Sequence, residues 1–130
     1  MSTQVIHTDR APAAIGPYSQ AVSTDLSTAN KMVFCSGQIG LDPATGNLRD
    51  GFDAQVDQVL ANMQAVISAA GGSVANVVKL TLFLTDLGNF AAVNTKMEAL
   101  FAKPYPARST VGVASLPKGA LFEIEAIIVI

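Results

Sequence analysis

Arg108 and two carboxylates near the carboxyl end of the chain are the residues whose types could do chemistry together. Arg108 opens an apolar stretch with the composition of a strand, and Glu123 and Glu125 interrupt a second such stretch. On neighbouring strands, a guanidinium and a carboxylate would make a small polar pocket suited to a compact organic anion with a reactive centre beside its carboxylate. A structural Arg–Glu ion pair would use the same residues, so both interpretations stay open.

The spacing does not separate the two carboxylates. Side chains alternate along a strand, so Glu123 and Glu125 point to the same face of a strand over residues 121–130. Other reactive side chains lack partners. His7 stands alone near the amino end, Cys35 lies in an apolar stretch without a convincing histidine, and no spaced set of ligands predicts a metal site. We expect neither a metal nor an organic cofactor.

The elements that position these residues follow from periodicity. One helix is predicted from apolar residues at three- and four-residue steps, namely Phe52, Val56, Val59, Leu60, Met63, Val66, Ile67 and Ala70. Asp50 or Asp53 is expected to cap its start, and Gly71-Gly72 to end it. A second helix is predicted from Phe90, Val93, Met97, Leu100 and Phe101.

Strands complete the predicted fold. They are expected at residues 4–7, 18–24, 31–37, 77–85, 107–113 and 121–130, with a hairpin loop at 25–30. A chain of 130 residues is the size of one domain, here 1–130. We therefore expect a single α+β domain in which both helices pack on one face of a mixed β-sheet.

The composition predicts association between copies of the chain. Half of the residues are hydrophobic and 14% are charged, against a usual charged share of about 25%. Val77, Phe83, Ile127 and Val129 are expected on the sheet face away from the helices, where burying each would contribute roughly 1.5–3 kcal/mol. A homo-oligomer that packs sheets together would place Arg108 near a subunit boundary, along with Glu123.

The charge pattern argues against several partners. The net charge is −2 and the eight lysines and arginines are scattered, so neither nucleic acid nor an anionic membrane is an expected partner. No apolar run approaches the roughly 20 residues that span a bilayer, and the amino end does not have the pattern of a secretory signal. One cysteine fits a reducing compartment. We expect a cytoplasmic protein, although delivery to an organelle by other means stays open.

Four separated motifs resemble one known family. Residues 11–21 (APAAIGPYSQA), 36–39 (SGQI), 105–109 (YPARS) and 124–126 (IEA) closely resemble the RidA/YjgF family of enamine/imine deaminases, in matching order. The resemblance implies a chorismate-mutase-like α+β subunit, a homotrimer and active sites between subunits. It also implies hydrolysis of reactive 2-imino or 2-enamino acids, such as 2-aminoacrylate, to 2-keto acids and ammonia.

The resemblance also assigns roles to residues. Arg108 matches the arginine that holds the substrate carboxylate, and Glu123 matches the acid that positions or activates water. Tyr18 matches a tyrosine that lines the pocket, and Gly37 and Thr110 match positions whose backbone contacts the ligand. Asn94 matches a recurrent asparagine of the second helix and is assigned to substrate binding. Thr110 stands where many members have cysteine, which indicates that thiol chemistry is not required there.

Two other functions compete with deamination. One is an RNA-cleaving translation inhibitor, an activity implied by relatives in the wider family, although the acidic balance and the lack of a basic-aromatic stripe count against it. The other is a non-enzymatic metabolite-binding or chaperone-like oligomer, which would keep the Arg108 pocket without turnover.

Overall fold

A computed structural model describes residues 3–27, 29 and 31–130, and its elements follow the expected order. The strands are β1 (Thr3–Ile6), β2 (Ala21–Thr24), β3 (Met32–Ile39), β4 (Val77–Leu84), β5 (Ala107–Gly112) and β6 (Phe122–Val129). The helices are α1 (Phe52–Ala69) and α2 (Phe90–Leu100). Neither is long and apolar enough to cross a membrane.

The strands form two sheets. β1 and β2 pair antiparallel with each other, and the remaining strands form a mixed sheet in the order β3-β6-β4-β5, in which only the β4–β5 pair is parallel. The predicted pairing across a hairpin at 25–30 is therefore wrong, because β2 pairs with β1 and β3 pairs with β6. Residues 28 and 30 of that loop lie outside the described residues.

Both helices cover one face of the four-stranded sheet, as predicted. The core on this face joins side chains from both helices and from the two central strands, among them Val56, Met63, Val93, Met97, Leu80, Leu82, Ile124 and Ile128. Alternation along β4 and β6 explains the pattern, since every second residue of each strand is buried there. We call the opposite side of this sheet the open face.

The ends of α1 only partly follow the prediction. Gly51, with φ of 89°, occupies the N-cap position and no side chain caps it, so the expected caps from Asp50 or Asp53 are wrong. At the other end Gly71 adopts a φ of 93°, and the N–H of Gly72 donates to the carbonyl oxygen of Ile67 at 3.0 Å. This is the left-handed glycine cap that the sequence predicts.

The open face carries fewer apolar side chains from β4 and β6 than expected. β3, however, exposes a large apolar side chain there. An irregular register between Val77 and Lys79 turns Val77 into the core, where it is 6% exposed. Val129 is 1% exposed within the single chain, so it also does not form part of the expected exposed surface. Phe34, by contrast, is 70% exposed. The open face therefore keeps a large uncovered aromatic ring, as expected of a surface that a second copy covers.

Candidate functional site

Arg108 is held by an amide and two aromatic rings. Its Nη1 donates a hydrogen bond to Asn94 Oδ1 at 2.8 Å. Its Cζ lies over the ring of Tyr18, 5.1 Å from the centroid, and over the ring of Phe90, 5.4 Å from the centroid. These contacts come from two separate segments, α2 and the chain around Tyr18, so the tertiary fold fixes the guanidinium.

The register of β5 determines the face on which Arg108 lies. Arg108 is the partner of Leu80 in the parallel β4–β5 pair, and Leu80 is buried beneath the helices. The Arg108 side chain therefore points to the helix side and meets α2. Phe90 and Asn94 are four residues apart, one turn of α2, which places their side chains on the same side of the helix.

A loop before β2 brings Tyr18 to the site. The N–H of Ser19 donates to the carbonyl oxygen of Pro106 at 3.0 Å, and the Ser19 hydroxyl donates to that of Tyr105. Ser19 also forms an isolated parallel bridge with Ala107, the residue before Arg108. These bonds anchor the loop to the start of β5 and set Tyr18 beside the guanidinium.

Gly16 lies close to the outer end of the guanidinium. A Cβ at this position would lie 3.4 Å from Arg108 Nη2, 3.6 Å from Asn94 Nδ2 and 3.7 Å from Tyr18 Cε1. Residue 16 therefore borders the site, and two of the three nearest atoms belong to hydrogen-bond donors. A group that accepts hydrogen bonds, such as a carboxylate oxygen, fits these surroundings.

No carboxylate compensates the charge of Arg108 among the described residues. Among residues 3–27, 29 and 31–130, the ion pairs join His7 to Asp9, Arg49 to Asp42 and Lys96 to Asp57, and none includes Arg108. Within this part of a single chain, Arg108 is therefore not half of a structural Arg–Glu pair. Burial lowers the pKa of the Arg108 guanidinium, and Tyr18 acts weakly in the other direction. The group stays a cation at neutral pH because its ordinary pKa is so high.

Glu123 occupies a second cluster with Gly37. The two residues lie on the adjacent strands β6 and β3, and a Cβ on Gly37 would come within 2.2 Å of Glu123 Oε2. Only glycine can stand there without moving the carboxylate. Burial raises the pKa of the Glu123 carboxyl, and the charge of Glu125 raises it further. Glu125 itself is exposed beside it on the open face.

The two clusters lie on opposite faces of the sheet. β4 separates β5 from β6, and Glu123 pairs with Phe83 on the open face, whereas Arg108 pairs with the core residue Leu80. The expected pocket on neighbouring strands is therefore wrong for a single chain. We name the clusters the arginine half-site (Gly16, Tyr18, Phe90, Asn94 and Arg108) and the glutamate half-site (Gly37 and Glu123).

Thr110 follows Arg108 by two residues and so shares its face of β5. Its Oγ1 atom is buried and has no hydrogen-bond partner among the described residues. A ligand cannot reach a covered hydroxyl, so any contact with Thr110 would have to use the backbone, as the resemblance implies. The buried hydroxyl instead costs roughly 1–3 kcal/mol of stability.

The sequence does not predict two members of the arginine half-site. Its apolar periodicity places Phe90 in the stripe of α2, and the motif at residues 11–21 contains Gly16 without indicating a role for it. The available signal for Phe90 was its separation of four residues from Asn94. No comparable signal existed for Gly16, since its importance depends on an arginine about ninety residues later in the chain.

His7 and Cys35 lie outside both half-sites. His7 is exposed and bonds only to Asp9 among the described residues, 3.0 Å away. Cys35 packs against the core, and burial raises the pKa of its thiol, which disfavours the nucleophilic thiolate. Within the part of the chain that the structure describes, no group of three or more histidines, cysteines and carboxylates could hold a metal ion.

Comparison with known proteins defines the family. The sequence model of the family described as endoribonuclease L-PSP matches residues 8–130. The chain belongs to this family, and its resemblance to RidA/YjgF proteins is confirmed. It is 51% identical to protein DfrA of Myxococcus xanthus, over 99% of this chain and 97% of that protein. It is 48% identical to the 2-iminobutanoate/2-iminopropanoate deaminase of Salmonella typhimurium, over 98% of each.

Solved structures share the fold. RidA from an Antarctic Psychrobacter has a TM-score of 0.75 and 51% identity, with 98% of this chain and 99% of that chain covered. Escherichia coli TdcF, solved with bound serine, has a TM-score of 0.71 and 44% identity, with 98% of each chain covered. The predicted α+β class, with a mixed sheet and two helices on one face, is confirmed.

Proposed function

We propose that the protein hydrolyses 2-imino and 2-enamino acids, such as 2-aminoacrylate, to 2-keto acids and ammonia. The observation that carries this proposal is the half-buried guanidinium of Arg108, which neutral groups hold and which has no carboxylate partner among the described residues. Relatives named 2-iminobutanoate/2-iminopropanoate deaminase, at 44–48% identity over nearly the whole chain, support the same reaction. The serine bound to TdcF, an amino acid with a free carboxylate, fits a site of this class.

Arg108 acts in this proposal as the carboxylate receptor. Asn94 occupies Nη1, which leaves Nη2 free to donate to one carboxylate oxygen of the substrate. This charge-assisted hydrogen bond anchors the carboxylate and therefore restricts the position of the adjacent imine carbon. No internal acid competes for the charge among the described residues.

Glu123 acts as the proton acceptor. A water molecule attacks the carbon of the protonated imine, so that a carbon–oxygen bond forms and the carbon–nitrogen π bond breaks onto nitrogen while Glu123 takes one proton of the water. Glu123 then returns that proton to the amino nitrogen of the carbinolamine. The carbon–nitrogen bond breaks with ammonia as the leaving group, and the hydroxyl gives its proton to Glu123 as the carbonyl forms. A carboxyl whose pKa is raised toward neutrality suits both steps, since it can gain and lose a proton at little cost.

The complete site would need two protomers. Arg108 and Glu123 lie on opposite faces of one sheet, so a second copy that covers the open face would bring its own arginine half-site to the first chain's glutamate half-site. Phe34, which is 70% exposed, supplies apolar surface for such packing. The homotrimer is the assembly that the family resemblance implies, and a size measurement on the purified protein tests it.

A coupled assay tests the reaction. An amino-acid oxidase generates 2-imino acids in solution, and the release of 2-keto acid is followed with and without the protein, under conditions in which spontaneous hydrolysis is slow. We expect faster release with the wild-type protein and no acceleration with Arg108→Ala. Equal rates with and without wild-type protein would rule out deamination.

Cleavage of RNA is a second candidate because the family carries the name endoribonuclease L-PSP. The net charge of −2 disfavours it, since backbone recognition needs clustered cations. Tight, salt-sensitive RNA binding by nuclease-free protein would revive it. A cytoplasmic location and the absence of nucleic-acid and membrane partners stay predictions.

A further inference from the structure

Phe90 differs from the other apolar residues of α2 in what it contacts. Val93 and Met97 are fully buried in the core cluster beneath the sheet. Phe90 is only half-buried and belongs neither to that cluster nor to the apolar residues packed against it. Its ring faces the Arg108 guanidinium instead, with Cζ 5.4 Å from the ring centroid. The expected role of Phe90 as one more core position of the helix therefore does not describe it.

We propose that Phe90 is a positioning residue that holds the Arg108 guanidinium in the orientation that receives the substrate carboxylate. This inference rests on the proposed function, because it assigns Arg108 to carboxylate binding. Phe90 acts through Arg108 and need not touch the substrate itself. Neither the family motifs nor the pattern of apolar residues singles it out for this task.

The chemistry of the three partners supports the assignment. An arginine side chain has many rotamers, and a receptor that is not held loses binding free energy when it orders around its ligand. A carboxylate would hold the guanidinium strongly, but it would also neutralise the charge that the substrate must find. The rings of Phe90 and Tyr18 and the Asn94 amide hold the group without neutralising it.

The geometry of α2 explains why Phe90 is suited to this position. It is the first residue of the helix, one turn before Asn94, so both side chains reach β5 from the same side. Asn94 fixes Nη1 by a directional hydrogen bond, and the ring of Phe90 restricts the swing of the plane. The remaining donor, Nη2, lies on the side of Gly16, 3.4 Å from where a Cβ of that residue would stand.

The test removes the ring while keeping an apolar side chain. Phe90→Leu and Phe90→Met are compared with wild type in two measurements, the dissociation constant for 2-ketobutyrate by calorimetry and the KM and kcat of imine hydrolysis. We expect roughly fivefold to tenfold weaker binding of 2-ketobutyrate in both variants, as the loss of a cation–π contact predicts. KM should rise by a similar factor, with a smaller change in kcat. Phe90→Tyr keeps a ring and should restore values within about twofold of wild type.

A matched substitution separates positioning from packing. Phe101 follows the same helix, is 6% exposed and lies in the core cluster. Phe101→Leu should lower the unfolding midpoint while leaving 2-ketobutyrate binding unchanged. Wild-type binding by the Leu and Met variants of Phe90 would overturn the inference, as would a Tyr variant no better than they are. If wild-type protein binds 2-ketobutyrate but hydrolyses no imine, the proposed function fails while the effect of Phe90 on binding still decides this inference.

Discussion

The arginine half-site and the glutamate half-site lie on opposite faces of one sheet and differ in what surrounds their charged group. Arg108 lies on the helix side, where a loop, a helix and a strand surround it with neutral groups. Glu123 lies on the open face, fixed against the backbone at Gly37 and next to another carboxylate. The arginine half-site assembles within one chain, whereas the glutamate half-site provides a single reactive group. The fold therefore forms each half-site separately, and joining them within one site would require the second protomer proposed above.

Burial affects the two charges in unequal ways. It disfavours the charged form of both groups, so it lowers the pKa of Arg108 and raises that of Glu123. Arg108 remains a cation at neutral pH because its ordinary pKa lies so far above it. The pKa of the Glu123 carboxyl is raised in the direction of neutral pH, which makes proton exchange by this group easier. The same physical effect therefore leaves one half-site as a fixed charge and makes the other a proton carrier.

Removing the guanidinium should have the largest effect. We expect Arg108→Ala to lower kcat/KM for imine hydrolysis by at least about a hundredfold, because the carboxylate loses its cationic hydrogen-bond partner and the imine carbon loses its alignment. Fold and oligomer should survive, as judged by circular dichroism and sizing. Arg49→Ala is the matched control, since Arg49 is an exposed arginine paired with Asp42. Near-normal rates in the Arg108 variant would remove the proposed carboxylate receptor.

Mixing two inactive variants should test whether the half-sites come from different chains. Arg108→Ala and Glu123→Gln protomers, differently tagged, are co-expressed at equal levels and the mixed oligomers purified. If each site takes Arg108 from one protomer and Glu123 from the next, every mixed trimer regains one of its three sites, which gives about a third of wild-type activity in the purified mixed trimers. Each variant alone should stay inactive. No recovery in verified mixed trimers would contradict a shared site.

The pH dependence should distinguish the two carboxylates. As a proton acceptor Glu123 must be ionised, so kcat/KM should fall as the pH drops through its raised pKa, above the range of an ordinary glutamate. Glu125→Gln removes a like charge that raises this pKa, so the acid limb should move to lower pH while the plateau changes little. Glu98→Gln on the exposed side of α2 is the control and should leave the profile unmoved. A shift toward higher pH in the Glu125 variant would reverse the assigned interaction.

The smallest expected effect on activity is that of Thr110. This residue lies on the same face of β5 as Arg108, but its hydroxyl is buried. Thr110→Val removes a buried hydroxyl without a partner among the described residues, so we expect the free energy of unfolding to rise by about 1 kcal/mol. Denaturant melts measure this change, and kcat/KM should stay within about twofold of wild type. The control is Thr95→Val, because the Thr95 hydroxyl donates to the Ala91 carbonyl at 3.2 Å. A large rise in KM for the Thr110 variant would instead place its hydroxyl in the site.

Local elements of the fold were predictable because their signals are local. The apolar stripe of α1 and the glycines after it predicted a helix and its left-handed end, and both are present. The predicted aspartate caps of α1 are wrong because an aspartate near a helix start does not ensure cap geometry. A glycine with positive φ, Gly51, occupies the N-cap position instead. The predicted exposure of Val77 is wrong because one irregularity in the strand register moves its side chain to the other face of the sheet.

The candidate site shows the same difference between what local sequence predicts and what strand pairing decides. Arg108, Tyr18, Asn94, Gly37 and Glu123 were predicted from motifs, and the fold gathers the first three around one guanidinium and the last two into a separate pair. Residue types and motif order therefore suffice to nominate the chemical groups. They do not assign those groups to faces, because the face depends on which strands are neighbours.

Amino-acid types and their spacing along this chain established its helices, most of its strands, the absence of a basic surface and an arginine with the chemistry of an anion receptor. Strand order lay beyond them, since pairing between residues far apart in the chain depends on how all strands pack together. The insertion of β4 between β5 and β6 put Arg108 and Glu123 on opposite faces and left Phe90 beside the guanidinium. That placement exists only once the whole sheet has formed, because backbone hydrogen bonds between distant strands fix its register.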